Sequence, residues 1–190
     1  MKISIDNGLL EYIPAFLSPQ NSAFLFDLLL EETPWNQGTI TIFGKKIATP
    51  RHEAFYAEHG LNYAYSGQQL TVHPFTKELE SLKNQLEQFT KQKFNSVLIN
   101  LYRNGNDSNG WHADNEKELG INPFIASLSL GTERRFDIQH IKSKEKKSII
   151  LENGSLLLMG DEMQHYWKHQ IAKTKKVHSP RINLTFRLIR

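Results

Sequence analysis

Cysteine is absent from this sequence, which excludes a disulfide framework, an iron–sulfur cluster, a thiolate-bound zinc and any cysteine nucleophile. Long apolar runs are missing as well. Stretches such as Leu28 to Leu30 and Leu156 to Met159 are far too short to span a bilayer, so no membrane partner is expected. Lys2 is soon followed by Asp6 and Glu11 with no continuous apolar stretch, so there is no signal-peptide pattern and cytoplasmic residence is expected. No large charge excess is present: 23 basic against 20 acidic residues leave +3 and a pI of about 9.0, which permits a nucleic-acid partner without requiring one. No repeat, low-complexity tract or Pro/Gly/Ser linker divides the 190 residues, and the apolar share of 39% is that of a globular chain. The expectation is one domain with a sizeable core.

What is present begins with two helices. Ser18 can cap a helix opening at Pro19, on which Phe24, Leu25, Leu28 and Leu29 share a face. After Pro74, the residues Phe75, Leu79, Leu82, Leu86 and Phe89 form an apolar stripe, with Lys77, Glu78, Glu80, Lys83 and Glu87 off it. From Phe94 onward the pattern is of strands and turns: Phe94 to Tyr102, Phe124 to Leu130, Arg135 to His140, Ser148 to Leu151, Ser155 to Met159 and Arg181 to Ile189. An earlier stretch, Thr39 to Ile47, predicts a β-hairpin with its tip at Gly44. Helices followed by a strand-rich half give an α+β fold with a sandwich or jelly-roll strand count.

Chemistry concentrates in four segments. In Arg181 to Leu188, Ile182, Leu184, Phe186 and Leu188 form one face of an extended strand, while Arg181, Asn183, Thr185 and Arg187 form the other. Alone this describes a sheet with one wet face; inside a jelly roll it describes two arginines able to clamp an anionic small molecule. His112-Ala113-Asp114 places an imidazole and a carboxylate on one side of an extended segment, and His169, 55 positions beyond Asp114, or His165 could add a third ligand. Two histidines and a carboxylate make the facial set that leaves open positions on non-haem Fe(II). Asn100-Leu101-Tyr102 repeats the spacing of two, and buried Asn and Tyr need partners.

Taken together, Asn100-x-Tyr102, His112-x-Asp114, His169 and Arg181-x-Asn183-x-Thr185-Phe186-Arg187 resemble the AlkB-like iron(II)- and 2-oxoglutarate-dependent dioxygenases. Nearly all of the chain takes part. Phe43-Gly44-Lys45, Pro50-Arg51-His52, Tyr63-x-Tyr65-Ser66-Gly67, Asn95 to Tyr102, Glu116-x-Glu118-Leu119 and Gly154-Ser155-Leu156-Leu157 look like the branch that repairs alkylated bases in duplex DNA. The twelve positions from His169 to Arg181 match the family spacing and favour His169 over His165. The resemblance implies a double-stranded β-helix (jelly roll), with N-terminal helices and a β-hairpin nucleotide-recognition lid in residues 1–92 and the core in 93–190. It implies Fe(II) on His112, Asp114 and His169, with 2-oxoglutarate chelating through its keto acid end. The distal carboxylate would meet Arg181, supported by Tyr102 and Asn100; Arg187 would meet the metal-bound end, beside Asn183 and Thr185. The implied reaction consumes O₂ and 2-oxoglutarate, hydroxylates the N-alkyl group of bases such as 1-methyladenine or 3-methylcytosine, and releases formaldehyde, succinate and CO₂.

For DNA, a base must leave the stack to be reached, most cheaply when alkylation already blocks its pairing edge. The resemblance makes Phe43 an intercalating finger at the hairpin tip with Gly44, flanked by Lys45 and Lys46; Tyr63 and Tyr65 line the base pocket and Glu116 contacts the base. The candidates for phosphate contacts are Arg51, Arg134, Arg135, the lysines at 142, 144, 146 and 147, and Lys173, Lys175 and Lys176; taken alone, such runs describe solvated faces. Asn115 departs from the Asp that related duplex-repair sequences often carry after the metal aspartate. The implied partners are duplex and single-stranded DNA acted on by a monomer, with RNA, protein or a small molecule as the alternative substrate.

Overall fold

The computed structural model describes the chain apart from residues 43–44, 62–63, 66–67 and 70, and gives only the backbone at 40–42, 45–46, 64–65 and 68–69. The elements run β1 (Leu9–Ile13), α1 (Pro19–Glu32), β2 (Thr39–Ile42), β3 (Lys45–Ala48), β4 (His52–Ala57), β5 (Ala64–Tyr65), β6 (Gln68–Gln69), β7 (Val72–His73), α2 (Lys77–Thr90) and β8 (Ser96–Tyr102). They continue with β9 (Asn109–His112), a 3₁₀ turn (Lys117–Leu119), β10 (Ile125–Gly131), β11 (Arg134–His140), β12 (Lys146–Leu151), β13 (Leu156–Gly160), α3 (Met163–Tyr166), β14 (Trp167–Ile171) and β15 (Arg181–Arg187).

Capping fixes where the helices start. The Asn21 amide donates to Ser18 Oγ at 3.2 Å to open α1 with Pro19 at its first turn, and the Leu79 amide donates to Thr76 Oγ1 at 3.3 Å to open α2. The faces differ from the sequence pattern. Ser22, Leu25 and Leu29 of α1 go inward while Phe24 stays exposed; on α2 Phe89 is exposed and Lys83 is buried, its ammonium paired with Glu58 at 2.8 Å and Glu80 at 3.0 Å. Ser22 faces inward because α1 passes close to Gly154: a Cβ there would lie 2.4 Å from Ser22 Oγ, and φ is +74°.

Seven strands form one sheet in the order β1-β13-β10-β15-β8-β4-β7, and four form a second in the order β12-β11-β14-β9. The helices pack on the outer face of the larger sheet, where Leu79, Leu82 and Leu86 meet Val97, Ile99, Leu101, Leu184 and Phe186. A second apolar cluster fills the space between the sheets with Leu10, Tyr12, Tyr102, Phe136, Ile138 and Trp167. Two facing, mostly antiparallel sheets with helices on one side make the expected α+β jelly roll. Its core is not confined to residues 93–190, because β1, β4 and β7 join the larger sheet. The hairpin pairs Ile42 with Lys45 and, like β5–β6, forms a two-stranded sheet outside the two main ones.

Every residue of β15 is buried. The larger sheet is covered on both faces, by helices on one and by the smaller sheet on the other. The polar side of Arg181, Asn183, Thr185 and Arg187 is therefore an interior, not the wet face the alternation alone describes.

Candidate active site

The register brings the segments together. On the larger sheet β15 pairs with β8 so that Arg181 stands opposite Tyr102 and Asn183 opposite Asn100. On the smaller sheet β14 pairs with β9 so that His169 stands opposite His112, with ring centroids 4.3 Å apart. Asp114 follows two residues after β9. The cavity between the sheets is lined by Asn100, Tyr102, His112, Asp114, His169, Arg181, Asn183, Thr185 and Arg187.

At one end His112, Asp114 and His169 offer ligand atoms within 4.8 Å of one another. His112 Nδ1 meets the Gly110 carbonyl at 2.7 Å; with the proton there, the Nε2 lone pair accepts from Asn109 Nδ2 at 3.2 Å, a contact that a metal ion would replace. Asp114 is held twice: its amide donates to Gln164 Oε1 at 2.9 Å, and its Oδ2 accepts from Arg187 Nη2 at 2.9 Å. Its Oδ1 is buried without a hydrogen-bond partner and lies 3.8 Å from His112 Nε2. Burial pushes the His169 imidazole down to about 3, and burial also lowers His112 against the pull of Asp114, so both rings are neutral and able to ligate. Burial would raise the Asp114 carboxyl, but the Arg187 guanidinium, joined in acid by the two imidazoles once they are protonated, outweighs it and holds it well below the usual carboxylate range. Neutral imidazoles beside an unpartnered carboxylate oxygen fit an Fe(II) ion. His165 is exposed and pairs with Asn122 at 3.0 Å, so the alternative third ligand lies outside this group.

At the other end Arg181 donates from Nη2 to Ser129 Oγ at 2.9 Å, while its Nε and Nη1 are buried without hydrogen-bond partners. Burial lowers this guanidinium to about 10, well above neutrality, so it is a cation aimed into an enclosed space. That arrangement fits a carboxylate, as 2-oxoglutarate would supply. Asn183 is already engaged, donating from Nδ2 to Ser127 Oγ and the Leu128 carbonyl, both at 2.9 Å, while Thr185 donates to Asn183 Oδ1 at 3.2 Å.

Two of the candidate phosphate contacts, Arg51 and Arg134, face the interior instead. Arg51 is 5% exposed and turned inward, donating from Nε to Asn100 Oδ1 at 2.9 Å with Glu53 at 3.8 Å. Arg134 is 2% exposed and donates to the carbonyls of Asn104, Asp107 and Ala172. Both guanidinium groups are spent on internal acceptors and present nothing to a nucleic-acid backbone. Arg135 is exposed beside Asp137 at 3.0 Å, and Lys142, Lys173, Lys175 and Lys176 are exposed. Lys144 meets the Ile141 carbonyl, Lys146 is exposed, and Lys147 contacts the Ser4 carbonyl. Glu116 is half-buried near Asp114, and burial together with that charge raises its carboxyl. Asn115 is exposed. Phe43, Gly44 and Tyr63 lie outside the described residues, and of Lys45 and Tyr65 only the strand backbone is described.

Sequence reasoning missed Ser127, Ser129 and Gln164. The two serines carry a readable signal, since Ser127-x-Ser129 repeats the period of two on β10 among apolar neighbours. Gln164 has none, because only the fold puts α3 beneath the Asp114 amide.

The model of the 2OG-Fe(II) oxygenase superfamily matches residues 9–187. DNA oxidative demethylase ALKBH2 of Bos taurus is 38% identical over 176 residues, covering 87% of this chain and 63% of that protein. Alpha-ketoglutarate-dependent dioxygenase alkB homolog 3 of Homo sapiens is 36% identical over 188 residues, covering 93% of this chain and 64% of that protein. The chain thus spans just under two thirds of the length of these relatives. The solved structure of OsALKBH1 superposes with a TM-score of 0.64 at 17% identity, over 97% of this chain and 100% of that one, a likeness of fold. On the extent of the family match and the identity to its AlkB-like members, the chain belongs to the 2OG-Fe(II) oxygenase superfamily.

Proposed function

We propose that this chain is an oxidative demethylase of N-alkylated bases in DNA, of the 1-methyladenine and 3-methylcytosine type. It would act as one domain, as a monomer, in the cytoplasm. One observation carries the reading: two neutral imidazoles, an unpartnered carboxylate oxygen and an arginine with two open donors line a single buried cavity. The names of the relatives at 36–38% identity support DNA as the substrate class.

His112, Asp114 and His169 would hold Fe(II), which with 2-oxoglutarate and O₂ supplies the oxidation that converts an N-methyl group into formaldehyde. Arg181 would bind the distal carboxylate through Nε and Nη1, with Tyr102 and Asn100 beside it. Arg187 neutralises Asp114 and would meet the carboxylate at the metal end, next to Thr185 and Asn183. The two covered faces of the larger sheet keep bulk water from these charges, which strengthens each polar contact. On the DNA side, the proposed contacts are Phe43 as wedge with Gly44 and Lys45, Tyr63 and Tyr65 around the flipped base, and Glu116 on its polar edge.

The test is an assay with Fe(II), ascorbate and 2-oxoglutarate on matched duplex and single-stranded oligonucleotides carrying either lesion, scored by loss of the methyl mass. Repair is expected, and His112→Ala or Asp114→Ala should abolish 2-oxoglutarate turnover while leaving DNA binding. Conversion of 2-oxoglutarate to succinate without repair would move the substrate to RNA, protein or a small molecule. Retained turnover in both variants would overturn the metal assignment.

A further inference from the structure

Two buried guanidinium groups stand over one ring. Arg181 Cζ lies 5.3 Å and Arg134 Cζ 5.6 Å from the centroid of Tyr102. Arg134 spends its donors on main-chain carbonyls: Nη1 on Asn104 at 3.2 Å, and Nη2 on Asp107 at 2.9 Å and Ala172 at 2.8 Å. None of these carries a formal charge. The carboxylate whose charge reaches Arg134, Asp107, is bound by Arg103 from Nε at 2.8 Å and Nη2 at 2.9 Å. Other buried arginines have a carboxylate beside them: Arg187, in the cavity wall, has Asp114 at 2.9 Å, and Arg51, hydrogen-bonded to Asn100, has Glu53 at 3.8 Å. Among the described residues, neither Arg134 nor Arg181 has a carboxylate of its own within 4.0 Å.

Burying a cation without a counter-ion is costly, and two on the same ring add their mutual repulsion. Such a cost is offset when a ligand brings the missing negative charge. We propose that Arg134 is a positioning residue which, from behind Tyr102, adds a fixed positive charge to that of Arg181 and selects 2-oxo acids bearing a second, distal carboxylate. Arg134 acts through Tyr102 and Arg181 and touches no ligand itself. The inference rests on the reading that this cavity takes 2-oxoglutarate. Arg134 also ties residues 104 and 107 to residue 172, a clamping role that would serve every ligand of the cavity equally.

The ligands that separate charge from clamping are 2-oxoglutarate and 2-oxovalerate, five-carbon acids with the same keto acid end and different far ends. Both are titrated calorimetrically into Mn(II)-loaded protein without O₂, so that binding and not turnover is read. Arg134→Gln should weaken 2-oxoglutarate about tenfold, the scale of one charge at roughly 10 Å in an effective dielectric of about 20, and leave 2-oxovalerate nearly unchanged. Arg134→Lys, which keeps the cation and loses the three-carbonyl fork, should retain the preference for 2-oxoglutarate. Equal weakening of both ligands, no weakening of either, or a folded Arg134→Lys protein without the preference overturns the proposal. If Arg134→Gln does not fold, Arg134→Met, which also removes the charge, takes its place in the same two titrations. Failure of the parent protein to prefer 2-oxoglutarate over 2-oxovalerate would instead overturn the reading of the cavity.

Discussion

Replacing Arg187 with Met removes one member of a buried pair and leaves the other charged. Arg187 Nη2 and Asp114 Oδ2 are 2.9 Å apart, with side chains 5% and 2% exposed, so solvent cannot take over the lost interaction. Breaking such a pair from one side costs about 3–5 kcal/mol, because the remaining charge is uncompensated. For a chain of this size each kcal/mol moves the melting temperature by roughly 2–4 °C, so Arg187→Met should melt about 6–20 °C below the parent when metal is stripped with chelator. A divalent cation on His112, Asp114 and His169 supplies positive charge to the same carboxylate. With saturating Mn(II) the deficit should shrink by half or more, and by linkage the variant should bind Mn(II) more tightly than the parent. Melting followed by circular dichroism, with chelator and with Mn(II), reads both quantities. Equal deficits in the two states would refute the idea that arginine and cation share one carboxylate.

Leu86 is fully buried on the inner face of α2, so Leu86→Ala should lower unfolding free energy by about 2–5 kcal/mol in urea titrations; a loss under about 1 kcal/mol would mean that α2 packs elsewhere. Glu53 gives a pH test. Burial raises its carboxyl despite Arg51, so the folded state holds its proton more tightly than the unfolded chain and loses stability as pH rises above about 4.5. Glu53→Gln carries no such dependence. Its stability relative to the parent should therefore be more favourable at pH 7 than at pH 3.5, and a pH-independent difference would contradict the sign.

The sequence by itself determined the periodicities. Strict alternation from Arg181 to Arg187 sorts apolar from polar side chains because successive residues of a strand face opposite ways, and Ser18 and Thr76 mark helix starts because their hydroxyls can take the free first-turn amides. Motif spacing carried the family, and with it His169 as third ligand. Tertiary structure decided what each face meets. The polar face of β15 is an interior because the smaller sheet covers it, and covering depends on β9 and β14, short strands whose pairing sets His112 opposite His169. Phe24 stays exposed and Phe89 is half-exposed with its ring edge-on to Phe16, although the helical period alone groups both with the core. The same limit governs the arginines. A guanidinium in sequence is one cation wherever it occurs; whether it grips DNA, a cosubstrate or three carbonyls is set by the acceptors that the fold brings within about 3 Å, and for Arg51 and Arg134 those acceptors are internal.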